Sequence, residues 1–291
     1  MSLPPLRRRR RSSAVALLLA VVTAAAGCTA KAQAPAAAGE RHLQVDGRSR
    51  TYLLEPATGL AKGGKAAVVM VLHQEGGTLQ GIADETELAS LRAQGATLVY
   101  PAGVDHSWDA GLCCGLPHRE NIDDVTFLDK VFADVAKRTP VDPKRRALVG
   151  YSSGGMLAYR YVCARPGTLA AAVVVSGSLE SPCGADIQVP DVLTLHGKKD
   201  GTIGLEKSSF VAALGLSPQP VSGTLKELTA SADCSPTPQL SEAPDADVYR
   251  WSGCRGGVVE ARLIEGEGHG WRTLGASQKT ATFLRDQLLK G

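Results

Sequence analysis

The stretch Gly150-Tyr151-Ser152-Ser153-Gly154-Gly155 decides the fold of this chain. It follows the apolar residues 147–149 and opens a helix-compatible run over residues 156–162. A Gly-x-Ser-x-Gly motif between a strand and a helix makes a sharp turn that holds the serine hydroxyl out at the carboxyl edge of a sheet. Because the outer glycines have no Cβ, backbone and helix can approach each other closely around a strained serine. We therefore predict Ser152 as a nucleophile.

Two further motifs follow this turn, each after an apolar run. Asp200 comes after residues 192–194, and His269 comes after residues 258–264. The order Ser, Asp, His, with each residue just past a predicted strand, is that of the α/β-hydrolases. We predict Ser152, Asp200 and His269 as a catalytic triad. Asp191 is a weaker rival of Asp200, because it precedes its strand.

Strand and helix patterns alternate along the chain. Besides the two apolar runs before Asp200 and His269, the predicted strands are residues 42–45, 51–55, 66–72, 97–100, 148–149 and 171–175, and the predicted helices are 122–137 and 277–289. Asp46-Gly47 is a hairpin signal between the first two strands, and Asn121 is the predicted cap of the first helix. The alternation predicts an α/β fold, with a mostly parallel sheet and helices on both faces.

The first 27 residues have the composition of an export signal. Five arginines, residues 7–11, precede an apolar stretch that is short for a bilayer span. Small residues before Cys28 resemble a lipobox, in which the signal is cleaved and the new amino-terminal cysteine is lipidated. Ordinary cleavage of the signal without lipidation is the alternative. The Sec and twin-arginine export routes both stay open. The predicted organisation is a signal peptide over 1–27, a lipidated Cys28 with a tether over 28–40, and one α/β-hydrolase domain over 41–291.

Charge and cysteine content restrict the class of protein. Residues 1–27 hold five arginines and no acidic residue, so their removal changes the net charge from +3 to −2. Nucleic acid is therefore not a predicted partner.

Six cysteines remain after Cys28, an even number that suggests disulfides in an exported chain, with the pairing open. None has zinc-finger spacing, and we expect no metal and no cofactor. We expect a monomer that reaches a membrane only through its lipid.

A series of motifs follows in order along the chain: Tyr100-Pro101-Ala102-Gly103-Val104, Ser107-Trp108-Asp109-Ala110-Gly111, Cys113-Cys114-Gly115, Ile122-Asp123-Asp124-Val125, Val141-Asp142-Pro143 and the turn at Ser152. Together they resemble the polyhydroxybutyrate depolymerase/feruloyl esterase family of secreted α/β-hydrolases, over roughly residues 66–271. The resemblance implies a Ser-Asp-His esterase with little or no lid, acting on esters of polymers or plant phenolics. It also implies a disulfide between Cys234 and Cys254.

The chain departs from the family pattern at three positions. Gln74 stands where the family usually has glycine, Asp109 where it has asparagine, and Arg272 where it has proline. The Gln74–Glu75 region should supply one backbone N–H of the oxyanion hole, and Ser153 should supply the other. Because a glycine is replaced, we expect a different backbone angle at Gln74.

Other residues near the predicted strand ends receive roles as well. Trp108 and Trp271 each lie beside a site loop, and we predict them as walls of the substrate pocket. His73 and His196 each lie at the end of a predicted strand. His196 precedes Gly197, and His73 precedes Gln74, where the family usually has glycine. Structural hydrogen bonds are predicted for both histidines. We expect the segment that includes Tyr249 and Trp251 to form a flap tied by a disulfide.

The function that these observations predict is an exported serine esterase, either anchored to a membrane (periplasmic or at the cell surface) or secreted. Its predicted substrates are polyhydroxyalkanoate esters, or feruloyl and acetyl esters of polysaccharides. A peptidase of the same fold is one alternative, because acyl transfer from esters and amides uses the same triad. A non-catalytic surface lipoprotein is another, and Gln74 is the residue that keeps it open.

Overall fold

A computed structural model describes residues 36–289, so the predicted signal peptide and Cys28 lie outside the described residues. Within this range ten strands form one sheet, in the order β1-β2-β4-β3-β5-β6-β7-β10-β9-β8. The strands are β1 Gly39–Val45, β2 Arg48–Glu55, β3 Ala66–Leu72, β4 Ala96–Pro101, β5 Val141–Tyr151, β6 Ala171–Val175, β7 Asp191–Gly197, β8 Gln239–Ala243, β9 Ala246–Trp251 and β10 Val259–Ile264. The α-helices are α1 Leu79–Thr86, α2 Gly115–Arg119, α3 Asp124–Arg138, α4 Ser153–Ala164, α5 Val221–Ser231 and α6 Ala276–Leu284.

The centre of the sheet is parallel and both of its edges are antiparallel. Six neighbouring strands of the sheet, β4-β3-β5-β6-β7-β10, pair in parallel. The outer strands β1, β2, β8 and β9 pair antiparallel. Every residue of β3 is buried, which explains its continuous apolar run, because a central parallel strand is covered on both faces. The predicted mostly parallel sheet of an α/β-hydrolase fold is confirmed.

Helices cover both faces of the sheet. On one face, α3, α4 and α5 share a core with Met70 of β3. On the other face, α1 and α6 share a second core with Val69, the preceding residue of the same strand. Successive side chains of a strand point to opposite faces, so one apolar strand supplies both cores.

Two element boundaries differ from the sequence prediction. α3 begins at Asp124 and is capped by Asp123, whose carboxylate accepts a hydrogen bond from the Thr126 N–H at 2.9 Å. Asn121, the predicted cap, lies before that position with a φ of 50°. β1 begins at Gly39, inside the predicted tether, because the ladder with β2 runs the full length of the hairpin and pairs Gly39 with Leu54.

The predicted flap is part of the sheet. Tyr249 and Trp251 lie on β9, which pairs with both β8 and β10. Strands β8 and β9 carry many polar residues, and this composition concealed them in the sequence. A short 3₁₀-helix over Leu88–Gln94 and a π-helical turn over Arg285–Leu289, which continues α6, complete the described elements.

Three disulfides join the six cysteines of the described range: Cys113–Cys114, Cys163–Cys183 and Cys234–Cys254. Among residues 36–289, no helix combines the length and the apolar composition needed to cross a bilayer. The same residues contain no group of three or more side chains that could hold a metal ion.

Candidate active site

The turn at Ser152 joins β5 to α4 in a strained conformation. Ser152 has φ 54° and ψ −119°, a combination that is rare for a residue with a side chain. A Cβ added at Gly150 would lie 2.2 Å from the Gly154 carbonyl oxygen, and one at Gly154 would lie 2.5 Å from the carbonyl oxygens of Leu72 and His73. Both outer positions of the motif therefore require glycine, and the turn is pressed against the end of β3.

The structure brings Ser152, His269 and Asp200 into one row. The Ser152 Oγ lies 3.0 Å from His269 Nε2, and His269 Nδ1 lies 2.8 Å from Asp200 Oδ2. Each of the three residues follows a different parallel strand, β5, β10 or β7. Parallel strands end at the same edge of a sheet, so these three loops meet although they are distant in sequence.

Asp200 is held as a carboxylate by its surroundings. Burial works to raise its pKa, but the hydrogen bond and charge of His269, with the Ile203 N–H, lower it below the ordinary value. The second carboxylate oxygen accepts hydrogen bonds from the Thr202 N–H at 2.8 Å and the Ile203 N–H at 2.9 Å. Asp200 can therefore orient the imidazole of His269 and stabilise its positive form.

The loops of Asp200 and His269 touch at Gly197. A Cβ at this position would lie 2.4 Å from the Glu267 carbonyl oxygen and 2.5 Å from that of Gly268. The neighbouring His196 is fully buried and pairs through Nε2 with the Ile203 carbonyl oxygen at 2.9 Å. Burial lowers the pKa of His196, so its neutral ring braces the turn after Asp200.

His73 fixes the loop that follows β3. Its Nε2 accepts a hydrogen bond from the Gly103 N–H at 2.9 Å, so Nδ1 carries the proton and donates to the Gln74 carbonyl oxygen at 2.8 Å. Burial lowers the pKa of His73 to about 4 and keeps the ring neutral. The Gly77 N–H donates to the same carbonyl oxygen at 2.9 Å. In a trans peptide the N–H points opposite to the C=O, so these contacts set the direction of the Glu75 N–H.

Ser153 is the first residue of α4, and its N–H has no acceptor within the helix. The amino end of the helix also favours negative charge. An N–H at this position, together with one from the loop after β3, can stabilise an oxyanion beside Ser152.

The backbone angle at Gln74 is one that any residue can adopt. Gln74 has no positive φ; the loop places its positive φ, 73°, at Gly76. The Gln74 Oε1 is buried and has no hydrogen-bond partner among the described residues. Glu75 accepts a hydrogen bond from the Ser107 hydroxyl at 2.7 Å, and burial raises its pKa.

Trp108 and Trp271 do not line a pocket, in contrast to the prediction. Both side chains are fully buried. Trp108 donates from Nε1 to the His73 carbonyl oxygen at 2.8 Å, and Trp271 donates to the Ser277 hydroxyl at 2.9 Å. A large indole beside a loop gains most by burying its ring, provided that its N–H finds an acceptor. Trp108 therefore clamps the loop that carries Gln74.

A buried charge network, which sequence reasoning missed, holds the segment around Trp108. The Asp109 N–H donates to Asp124 at 2.7 Å, and Asp124 pairs with Arg50 at 2.6 Å. The Asp109 carboxylate pairs with Arg160 of α4 at 2.9 Å. For Asp124, the motif Ile122-Asp123-Asp124-Val125 was the feature of the sequence that could have indicated this role. No feature of the sequence marked Arg50, because it occupies an ordinary position in the first hairpin.

No protein-family model matches the chain. Among curated proteins, it is 28% identical over 196 residues to feruloyl esterase C of Emericella nidulans, covering 62% of this chain and 68% of that protein. It is 29% identical over 240 residues to the putative esterase NocK of Nocardia uniformis subsp. tsuyamanensis, covering 80% and 64%. The chain thus spans about two thirds of the length of these relatives.

The fold is similar to that of solved esterases. The acetyl xylan esterase from Aspergillus awamori superposes with a TM-score of 0.64 at 16% identity, over 84% of this chain and 99% of that one. At this identity the similarity concerns the fold alone. These relatives, this fold and the motifs around Ser152 support an ester hydrolase with an α/β-hydrolase fold that is similar to the feruloyl esterases.

Proposed function

We propose that this chain is an exported serine esterase that cleaves feruloyl or acetyl esters of polysaccharides through Ser152, His269 and Asp200. The observation that carries the proposal is the unbroken row of hydrogen bonds from Ser152 Oγ through both nitrogens of His269 to Asp200. A serine hydroxyl needs such a base within hydrogen-bond reach to act as a nucleophile.

In the first step, Ser152 Oγ forms a bond to the acyl carbon while His269 Nε2 accepts the hydroxyl proton. The carbonyl electron pair moves to oxygen, where the N–H groups of Ser153 and the Gln74–Glu75 region would stabilise the negative charge. When the tetrahedral intermediate collapses, the bond to the alcohol oxygen breaks. His269 returns the proton to that oxygen, and the alcohol leaves.

In the second step, water attacks the acyl group on Ser152 and His269 accepts a proton from that water. Collapse of the new intermediate breaks the bond to Ser152 Oγ, which takes the proton back from His269. Asp200 keeps Nδ1 of His269 protonated throughout and stabilises the imidazolium.

The proposed feruloyl esters rest on the name of a similar protein, feruloyl esterase C, and the acetyl esters rest on the resemblance of the sequence motifs. Polyhydroxyalkanoate esters stay a prediction of the sequence. Export agrees with the three disulfides, because disulfides persist in oxidising compartments. We also propose that Cys28, outside the described residues, carries the lipid; a Cys28→Ser variant should leave the membrane fraction.

The triad proposal is tested with a fluorophosphonate probe and with esters of a coloured alcohol. Wild-type protein should be labelled at Ser152 and hydrolyse the esters, whereas Ser152→Ala should lose labelling and several orders of magnitude of turnover. Ser241→Ala, which changes an exposed serine of β8, is the matched control. Near wild-type hydrolysis by Ser152→Ala would reject the assignment, and faster cleavage of peptide anilides than of esters would favour the peptidase.

A further inference from the structure

A cavity of about 350 Å³ opens at the carboxyl edge of the sheet. Its lining residues include Leu112, Glu180, Pro182, Ser217, Gln219 and Glu227. They belong to the loops that follow β4, β6 and β7, and to α5. The loop after β7 contains Asp200, and the loop after β6 packs at Gly177 against the start of α4. The cavity therefore lies on the same edge of the sheet as Ser152.

The wall formed by Leu112 and Glu180 is fixed by the backbone. The Leu112 N–H donates to the Glu180 carbonyl oxygen at 2.7 Å. A Cβ added at Gly111 would lie 2.4 Å from that same oxygen, so the two loops are in the closest contact that a chain allows. Leu112 itself stays 68% exposed, and it forms an apolar rim on a loop that this hydrogen bond holds in place.

Glu180 has one carboxylate oxygen engaged and one unused. The engaged oxygen accepts hydrogen bonds from the Ser178 hydroxyl at 2.6 Å and from the Gln219 N–H at 2.9 Å. Its other oxygen has no hydrogen-bond donor among the described residues, although the residue is only 4% exposed and lines the cavity. Burial raises the pKa of Glu180, and the charge of Glu227 adds to the increase.

Glu227 supplies a second acceptor in the cavity. Its carboxylate accepts hydrogen bonds from the Cys183 N–H and from the Gln219 side-chain amide, both at 3.3 Å. No lysine, arginine or histidine is among the residues that line this cavity. Two carboxylates without a cation repel anionic ligands, and they can accept hydrogen bonds from hydroxyl groups.

The remaining lining groups suit a sugar ring. Ser217 and Gln219 can both donate and accept hydrogen bonds, as sugar hydroxyls require. Leu112 and Pro182 offer apolar surface to the C–H face of a ring. We propose that this cavity is a subsite for a neutral sugar unit in the alcohol part of the ester. The inference rests on the proposed function and deepens it.

The test compares two esters that share the acid and differ in the alcohol: feruloyl arabinose and methyl ferulate. Wild-type protein should have a kcat/KM about tenfold or more higher on the sugar ester. Glu227→Gln and Leu112→Ala should each remove most of that preference, as the loss of a charged hydrogen bond or of a packing surface does. Both variants should leave kcat/KM on methyl ferulate within about twofold, because neither residue contacts the triad. Glu242→Gln, an exposed carboxylate of β8, is the matched control and should change neither rate.

Equal kcat/KM on the two esters in the wild type, or an unchanged preference in both variants, would overturn the subsite while leaving the esterase proposal intact. A higher rate on an ester of an amino sugar than on feruloyl arabinose would also overturn it, because the site would then select a cation. If neither ester is cleaved and no fluorophosphonate label forms, the proposed function fails. Binding of methyl arabinofuranoside, measured by ligand NMR, then decides: weaker binding to Glu227→Gln supports the subsite, and equal binding rejects it.

Discussion

Replacement of Gly197 by alanine should separate the loops of Asp200 and His269. The added Cβ would meet the carbonyl oxygens of Glu267 and Gly268 at 2.4 and 2.5 Å, whereas ordinary contacts begin near 3.4 Å. The backbone must therefore open by about 1 Å. Both oxygens belong to the residues just before His269, so the imidazole moves with them.

The consequence for catalysis follows from the lengths of the triad hydrogen bonds. The bonds of His269 to Ser152 and Asp200 are 3.0 and 2.8 Å long, and a displacement of about 1 Å takes them beyond hydrogen-bond range. A misplacement of this size costs about a hundredfold in kcat, or about 2.7 kcal/mol of activation free energy. Overpacking should also lower the free energy of unfolding by about 1–3 kcal/mol.

The assay is kcat on a nitrophenyl ester, with the rate of fluorophosphonate labelling and a thermal melt on the same samples. Gly201→Ala is the matched control, because it lies next to Asp200 and its added Cβ would meet nothing within 4 Å. This variant should keep wild-type kcat. A kcat for Gly197→Ala within about twofold of wild type would refute the argument that this close contact positions His269.

Three further predictions follow from contacts around the site. Trp108→Phe keeps an aromatic ring against His73 but leaves the buried His73 carbonyl oxygen without the indole N–H as donor. We expect kcat on a methyl ester to fall about tenfold. An unchanged kcat would contradict the idea that Trp108 holds the loop after β3. Between pH 6.5 and about 4, the unfolded chain binds a proton at His73 that the folded chain does not bind. The free energy of unfolding, measured by urea titration, should therefore decrease by about 3 kcal/mol as the pH is lowered from 6.5 to about 4. His73→Asn should lack this part of the slope, and an identical slope would contradict it. Replacing Cys234 and Cys254 by serine should cost about 3 kcal/mol for a loop with a sequence separation of 20, and an unchanged melting temperature would contradict this.

Local signals in the sequence were sufficient for the central part of the fold. The continuous apolar run over residues 66–72 and the Gly-x-Ser-x-Gly turn each depend on neighbouring residues alone, and the structure has β3 and the β5–α4 turn at those positions. The strands β8 and β9 were missed because they carry mixed polar residues and are held by their partners rather than by a pattern of their own.

Roles that depend on burial were predicted less well. Trp108 and Trp271 lie beside site loops in the sequence, but whether an indole faces a cavity or the core depends on which distant segment covers it.

The sequence by itself determined the class of chemistry, because a strained serine turn and the order Ser, Asp, His are properties of local segments along the chain. It also determined the parallel core, because a strand buried on both faces must be apolar throughout. Only the tertiary structure decided how His73 and Trp108 hold the loop after β3, how Gly197 lets two loops touch, and that Glu180 and Glu227 share one cavity. These features are distances of a few ångströms between segments far apart in the chain, and only packing sets such distances.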